Sequence, residues 1–246
     1  MSAPKVAICI PYYRACEGPT LLSCMDLSAR SAASVAMLPI GTAGCYIEDN
    51  RNGCIEYALA TGIPFDWVLW IDSDMIFPGD ALLRLLAHDK DIIGANYRIR
   101  TPPYTCAGIY HDRMDTHLLE PGLHRMAQMP TGLLLTRFDI YRRMGYPWFK
   151  PGLRSEPRDD IFFCRRALDL GYEIWCDHDL TKQVRHITVQ EIGWFTDDQI
   201  KPVAVHGAQL DLEKSAEEGR KRASLSRGKF EAAQRILPIA EAGLGR

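Results

Sequence analysis

Short, continuously apolar runs alternate along the chain with longer stretches in which apolar residues recur at helical spacing. Val6-Ala7-Ile8-Cys9-Ile10 reads as a buried strand stopped by Pro11, and Val35-Ala36-Met37-Leu38 as a short second strand. Between them, about Thr20 to Ala32 has a helical pattern. Ile47 to Ala60 has another, closed by Thr61-Gly62, a pairing that ends helices. Phe65-Asp66-Trp67-Val68-Leu69-Trp70-Ile71 is a third strand. Pro78-Gly79-Asp80 then opens a helix over Ala81-Leu82-Leu83-Arg84-Leu85-Leu86 with Asp80 as its cap, and Asp91-Ile92-Ile93-Gly94-Ala95 is a fourth strand. This alternation predicts an α/β fold with a mostly parallel central sheet flanked by helices on both faces.

Two later regions alter that picture. Tyr104 to Thr136 holds short strand-like pieces around the turn Glu120-Pro121-Gly122, which predicts added antiparallel strands. Arg137 to Met144 and Asp160 to Leu170 have helical patterns, the second stopped by Gly171. Gln209 to Ile236 is a charged, Ala-rich helical segment. The expected organisation is one domain over 1–207 and a C-terminal helical extension over 208–246, suited to an exposed packing arm or a homo-oligomer contact.

Composition narrows the function. The 246 residues are 47% hydrophobic and 24% charged with a net charge of −2, so a sizeable core is possible and no basic surplus points to nucleic acid. No apolar stretch has the length of a membrane span and the start has no leader-type apolar core, so a soluble, cytoplasmic protein is expected, with peripheral membrane contact left open. The eight cysteines stand singly with no C-x-x-C pair, which argues against a zinc site of the usual spacing and for reduced thiols, several of them in the core.

Candidate chemistry begins where the third strand ends, at Asp72-Ser73-Asp74. Carboxylates avoid the end of a buried strand unless a cation sits there. In extended chain, positions i and i+2 point the same way, so both acids can converge on one hard divalent ion whose open side takes phosphate oxygens. Asp also favours turns and helix caps, which is the competing reading. Pro11-Tyr12-Tyr13 lies at another carboxyl end, where open parallel sheets bind ligands. One of Tyr12 and Tyr13 is expected to stack on a nucleobase and the other to pack under the sheet edge. Asp159-Asp160 precedes the amphipathic helix Ile161 to Leu168 and reads equally as a cap. Arg98 and Arg100 suit a bidentate diphosphate clamp or simple solvation. Thr131-Gly132 suits close backbone approach to a ligand or a strand-entry turn. Trp148 and Trp194 suit stacking on a ligand face, with core burial expected for at least one. His186 is the favoured histidine ligand, with His178 and His206 as rivals.

In this order the segments resemble the metal-dependent GT-A glycosyltransferases, in particular the inverting family 2, over roughly Val6 to His186. The resemblance is carried by Ile8-Cys9-Ile10-Pro11-Tyr12-Tyr13, by the D-x-D triplet after Trp67-Val68-Leu69-Trp70-Ile71, and by Met129-Pro130-Thr131-Gly132-Leu133-Leu134-Leu135. It is most specific in Asp159-Asp160-Ile161-Phe162-Phe163-Cys164-Arg165-Arg166-Ala167 with its closing Gly171-Tyr172, and Arg51-Asn52 adds a partial match. It implies a GT-A type nucleotide-sugar-binding fold and transfer, with inversion, of a sugar from a nucleoside-diphosphate donor, UDP foremost, to an acceptor hydroxyl. It implies Mn²⁺ or Mg²⁺ held by Asp74 and His186, with Asp72 as a further ligand or on the ribose, and Asp160 as general base beside Asp159. The implied substrate-binding set is Pro11, Tyr12, Tyr13, Arg51, Asn52, Asp72, Ser73, Arg98, Arg100, Thr131, Gly132 and Trp148. Two departures matter. The family's Glu-Asp is here Asp159-Asp160, leaving either acid open as the base, and the early nucleotide-contacting acid has only Glu48 and Asp49 as stand-ins. The alternatives are a non-catalytic nucleotide-sugar-binding protein on the same fold and a sugar-phosphate nucleotidyltransferase. Pro11-Tyr12-Tyr13-Arg14-Ala15 lacks the Gly-rich basic loop of the latter.

Overall fold

A computed structural model describes residues 2–100, 104–111, 120–152 and 159–188; the expected C-terminal extension, Trp194 and His206 lie outside them. In chain order the strands are β1 (Lys5–Tyr12), β2 (Ala36–Ala43), β3 (Trp67–Ile71), β4 (Met75–Ile76), β5 (Ile92–Gly94), β6 (Ile109–Tyr110), β7 (Leu123–Gln128), β8 (Leu133–Arg137), β9 (Ile174–Asp177) and β10 (Arg185–His186). The helices are α1 (Gly18–Ser31), α2 (Ile47–Ala60), α3 (Ala81–Ala87), α4 (Asp139–Met144), α5 (Asp159–Asp169) and α6 (His178–Thr181).

Eight strands form one sheet in the order β2-β1-β3-β8-β5-β9-β7-β6, and β4 and β10 form a small second one. Within the large sheet, β8 runs against both β3 and β5, and β7 against both β9 and β6; all other strands point one way. The result is the mixed α/β architecture that the alternating pattern predicts, mostly parallel in direction with antiparallel strands added. Side-chain alternation sorts the core into two layers. Ala7, Cys9, Val68 and Trp70 pack on one face with residues of α2, α4 and α5. Val6, Ile8, Trp67, Leu69 and Ile71 pack on the other with α1, α3 and α6. Every residue of β3 is therefore buried, as a strand covered on both faces requires.

Three local expectations need correction. Pro11 does not stop β1: the strand runs on to Tyr12, paired with β2 through Pro11↔Thr42, while pairing with β3 ends at Cys9. Past Cys9 the strand is an edge, where a missing N–H is tolerated. On the sheet's outer edge, β2 likewise extends beyond Leu38 through Pro39 to Ala43. Asp80 does not cap α3 with its side chain; its backbone (φ −87°, ψ 2°) is outside the extended region from which a cap oxygen reaches back. Gly62 and Gly171, by contrast, do end helices, with φ of +68° and +86°. Among the described residues no helix is long and apolar enough to cross a membrane, and the eight cysteines are free thiols, five of them buried.

Candidate active site

The site lies where three strand ends and two helix starts meet. Ile71 of β3 pairs with Leu133 of β8, and the Asp72 N–H donates to the Gly132 carbonyl at 3.1 Å. Ala95, just past β5, donates to the Leu133 carbonyl at 3.0 Å. The antiparallel β8 thus delivers its entry turn to the same edge at which β1, β3 and β5 end. Across the gap, α2 and α5 point their first turns inward. A cleft of about 570 Å³ opens there, lined by Pro11, Tyr12, Tyr13, Arg51, Asp72, Ser73, Asp74, Arg100, Asp159, Asp160 and His186 from the expected set, together with Ile47, Tyr97, Ile99, Ala107 and Pro130.

Arg51 organises the acids. It is 4% exposed; one Nη lies 2.9 Å from Asp72 Oδ1 and the other is ion-paired with Asp159 Oδ2. Burial disfavours its charge, but the nearby Asp72 and Asp160 outweigh that and push its pKa up. The neighbouring Asp160 is in a different position: its Oδ1 accepts from the Ile161 N–H at 2.8 Å. Burial raises its pKa above the usual carboxylate range; Arg51 and the Ile161 hydrogen bond pull the other way, and Asp72 adds to the rise. Two adjacent acids in one helix turn thus differ: Asp159 is ion-paired with Arg51, while burial raises the carboxyl of Asp160.

Asp74 and His186 meet through the small sheet. Met75↔His186 and Ile76↔Arg185 pair antiparallel, and Ile187 N–H donates to the Asp74 carbonyl at 2.7 Å. His186 Nε2 is 3.4 Å from Asp74 Oδ1, and its Nδ1 is 3.1 Å from the Arg98 carbonyl. Burial opposes ionisation of Asp74, but the hydrogen bond and charge of His186 and the charge of Arg100 outweigh it and hold its carboxyl below the usual range. Among the described residues no group of three or more His, Cys, Asp or Glu side chains gathers as a metal centre. Asp72 is not part of the Asp74–His186 pair: Arg51 takes Oδ1, and the Tyr97 hydroxyl is 3.4 Å from Oδ2. The pair nonetheless fits a Mg²⁺- or Mn²⁺-type ion, which takes one or two protein ligands and fills the rest of its shell with phosphate and water. The Arg98 carbonyl on Nδ1 orients the imidazole and leaves Nε2 facing Asp74, the arrangement a ligating histidine would need.

Tyr97 is the residue that the pattern did not reveal. Its hydroxyl accepts from the Gly132 N–H at 3.2 Å and donates toward Asp72, and its ring stands edge-on to His186 at 5.0 Å. Burial, reinforced by the charges of Asp72 and Asp160, pushes the phenol well above its ordinary value, so it stays a donor. The only available signal was its place just beyond the end of β5. Gly132 is explained by it: a Cβ there would lie 2.6 Å from the Tyr97 ring. The glycine makes room for the Tyr97 ring. Gly132→Ala is expected to displace Tyr97 and cost about 1–3 kcal/mol in urea denaturation, and much less in a Tyr97→Ala background.

The other expected residues separate. Tyr12 is half-buried against Gly41, while Tyr13 is exposed with Arg14 over its ring. Asn52 is buried, accepting from the Trp148 and Phe149 N–H groups and donating to the Phe149 carbonyl, so it ties a loop to α2 instead of lining the cleft. Trp148 is 5% exposed with its indole N–H on the Tyr141 carbonyl; it is a core residue and not a sugar platform. Arg98 is buried and donates to the Tyr104 carbonyl. Thr131 is fully buried. Neither Glu48 nor Asp49 lines the cleft. His178, a rival ligand, is elsewhere, bonded to Tyr110 and Glu120 and stacked on His124.

No protein-family profile and no curated protein matches this chain. Among solved structures it is similar to A197 from STIV, at 10% identity over 82% of this chain and 100% of that one, with a TM-score of 0.54. That likeness shows a shared fold. It also aligns with the catalytic domain of Drosophila beta1,4galactosyltransferase 7 complexed with xylobiose, at 16% identity over 84% and 82% of the two chains and a TM-score of 0.47. A third alignment is with GalNAc-T7 bound to UDP, GalNAc and Mn²⁺, at 10% identity over 76% and 44% and a TM-score of 0.42.

Proposed function

We propose that the chain has a GT-A type fold and is a metal-dependent glycosyltransferase that moves a sugar from a nucleoside diphosphate, UDP foremost, to an acceptor hydroxyl with inversion. The observation that carries this reading is that the Asp74–His186 pair and the partly buried Asp160, from distant parts of the sequence, line one cleft. A divalent cation held by Asp74 and His186 supplies charge neutralisation for a departing diphosphate.

The chain's own residues do the rest. Tyr13, exposed just past the end of β1, offers a ring face to a base, while Tyr12 packs against Gly41. Asp72, fixed by Arg51 and Tyr97, presents an acceptor edge to a ribose or a metal-bound water. Asp160 takes the proton from the acceptor hydroxyl as that oxygen attacks the anomeric carbon, a direct displacement that inverts its configuration. A raised pKa strengthens a carboxylate as a base. Asp159, held by Arg51, cannot take the proton without breaking a buried ion pair.

Thermal denaturation with nucleoside diphosphates tests the reading. UDP with Mn²⁺ is expected to raise the melting temperature by roughly 5 °C at saturating ligand, UDP without metal by far less. Asp74→Asn is expected to remove the Mn²⁺-dependent part. If no nucleoside diphosphate gives a metal-dependent shift, the assignment is wrong. Metal-dependent binding with no donor hydrolysis or transfer would point instead to the non-catalytic binding protein.

A further inference from the structure

Two arginines face the acids of the cleft, and they are held very differently. Arg51 is enclosed, with 5% of its side chain exposed, and serves two carboxylates at once. Arg100 has 53% of its side chain exposed and, among the described residues, a single ion pair, Nη1 to Asp74 Oδ2 at 2.9 Å. That contact uses one oxygen of the carboxylate whose other oxygen faces His186. The backbone beneath Arg100 is secured independently: Ile99 N–H donates to the Thr105 carbonyl at 2.9 Å, and Arg98 bridges Cys106. The side chain can therefore change partner without the chain moving.

We propose that Arg100 is an exchangeable internal counter-cation, which competes with a divalent ion for Asp74 and leaves it when a diphosphate arrives. The inference rests on the proposed function, since it takes Asp74 as a metal-holding carboxylate. An exposed, single-contact ion pair is weak and easily displaced. A diphosphate offers a guanidinium two parallel acceptors, a better match than one carboxylate oxygen. Metal and diphosphate then bind with positive coupling: the metal displaces the guanidinium from Asp74, and the guanidinium is released onto the phosphates that the metal also contacts. Arg51 cannot play this part, because moving it would strand Asp72 and Asp159 together.

The test is titration with Mn²⁺ alone, following the electron paramagnetic resonance signal of the free ion, on the nucleotide-free protein. Arg100→Gln is expected to bind Mn²⁺ about fivefold more tightly than the parent. Arg100→Lys, which keeps the charge, should stay near the parent value, and Asp74→Asn should lose binding in either background. Equal affinity for the parent and Arg100→Gln, with binding lost in Asp74→Asn, overturns the competition while leaving the proposed function standing. Binding that ignores Asp74→Asn, or no binding by any of these proteins, overturns both.

Discussion

Asp160→Asn is expected to slow sugar transfer by about 10²–10⁴-fold while leaving the protein at least as stable as its parent. The first half follows from removing a positioned base. The second follows from the direction of its pKa. Burial raises the carboxyl of Asp160 above its unfolded value, so the folded state binds its proton more tightly. The resulting stability is complete below the unfolded pKa and is lost as pH rises through the folded one. Wherever it is ionised, the carboxylate is thus a net cost, which an amide of the same shape does not incur. The same raised pKa places the acidic limb of the rate profile higher than an ordinary carboxylate would, and the variant's residual rate should lack that limb. Thermal melts and a pH profile of kcat/KM check both halves. Transfer at the parental rate would sink the base assignment, and a marked loss of stability would sink the electrostatic account.

Arg51→Met is expected to cost about 3–5 kcal/mol in urea denaturation. The substitution keeps most of the side-chain volume, so the loss is electrostatic: Asp72 and Asp159 would stay mostly enclosed, near each other, with their shared counter-charge gone. Arg51→Lys should recover only part, since a point charge cannot fork between two carboxylates. Asp159→Asn added to Arg51→Met should restore some stability, which distinguishes charge from packing. If Arg51→Met is as stable as the parent, the arginine is not what allows the acids to be buried.

The strand-and-helix alternation of the first half was legible because apolar runs covered on both faces need no partner to be recognised; β3 and the acid pair after it stand out on inspection. The acids of α5 were legible for the same reason, lying at the start of an amphipathic turn. What could not be read was contact between distant segments. Gly132 and Tyr97 explain each other only once β8 is inserted between β3 and β5, and an antiparallel strand in mid-sheet leaves no local mark. Trp148 and Arg98 have the residue types of a binding site, but the direction of a side chain at a strand end or in a loop is set by its neighbours. Pro11 misled because its missing donor matters only where a second neighbour strand is present, and pairing with β3 had already ended at Cys9.

The β4–β10 ladder is two residue pairs long, yet with the Ile187 N–H on the Asp74 carbonyl it fastens His186 beside Asp74. During synthesis every strand of the large sheet emerges from the ribosome before that fastening can form. A chain cut just before Arg185 would keep the strands of the large sheet, the acids and Arg51, but would lack the imidazole that faces Asp74.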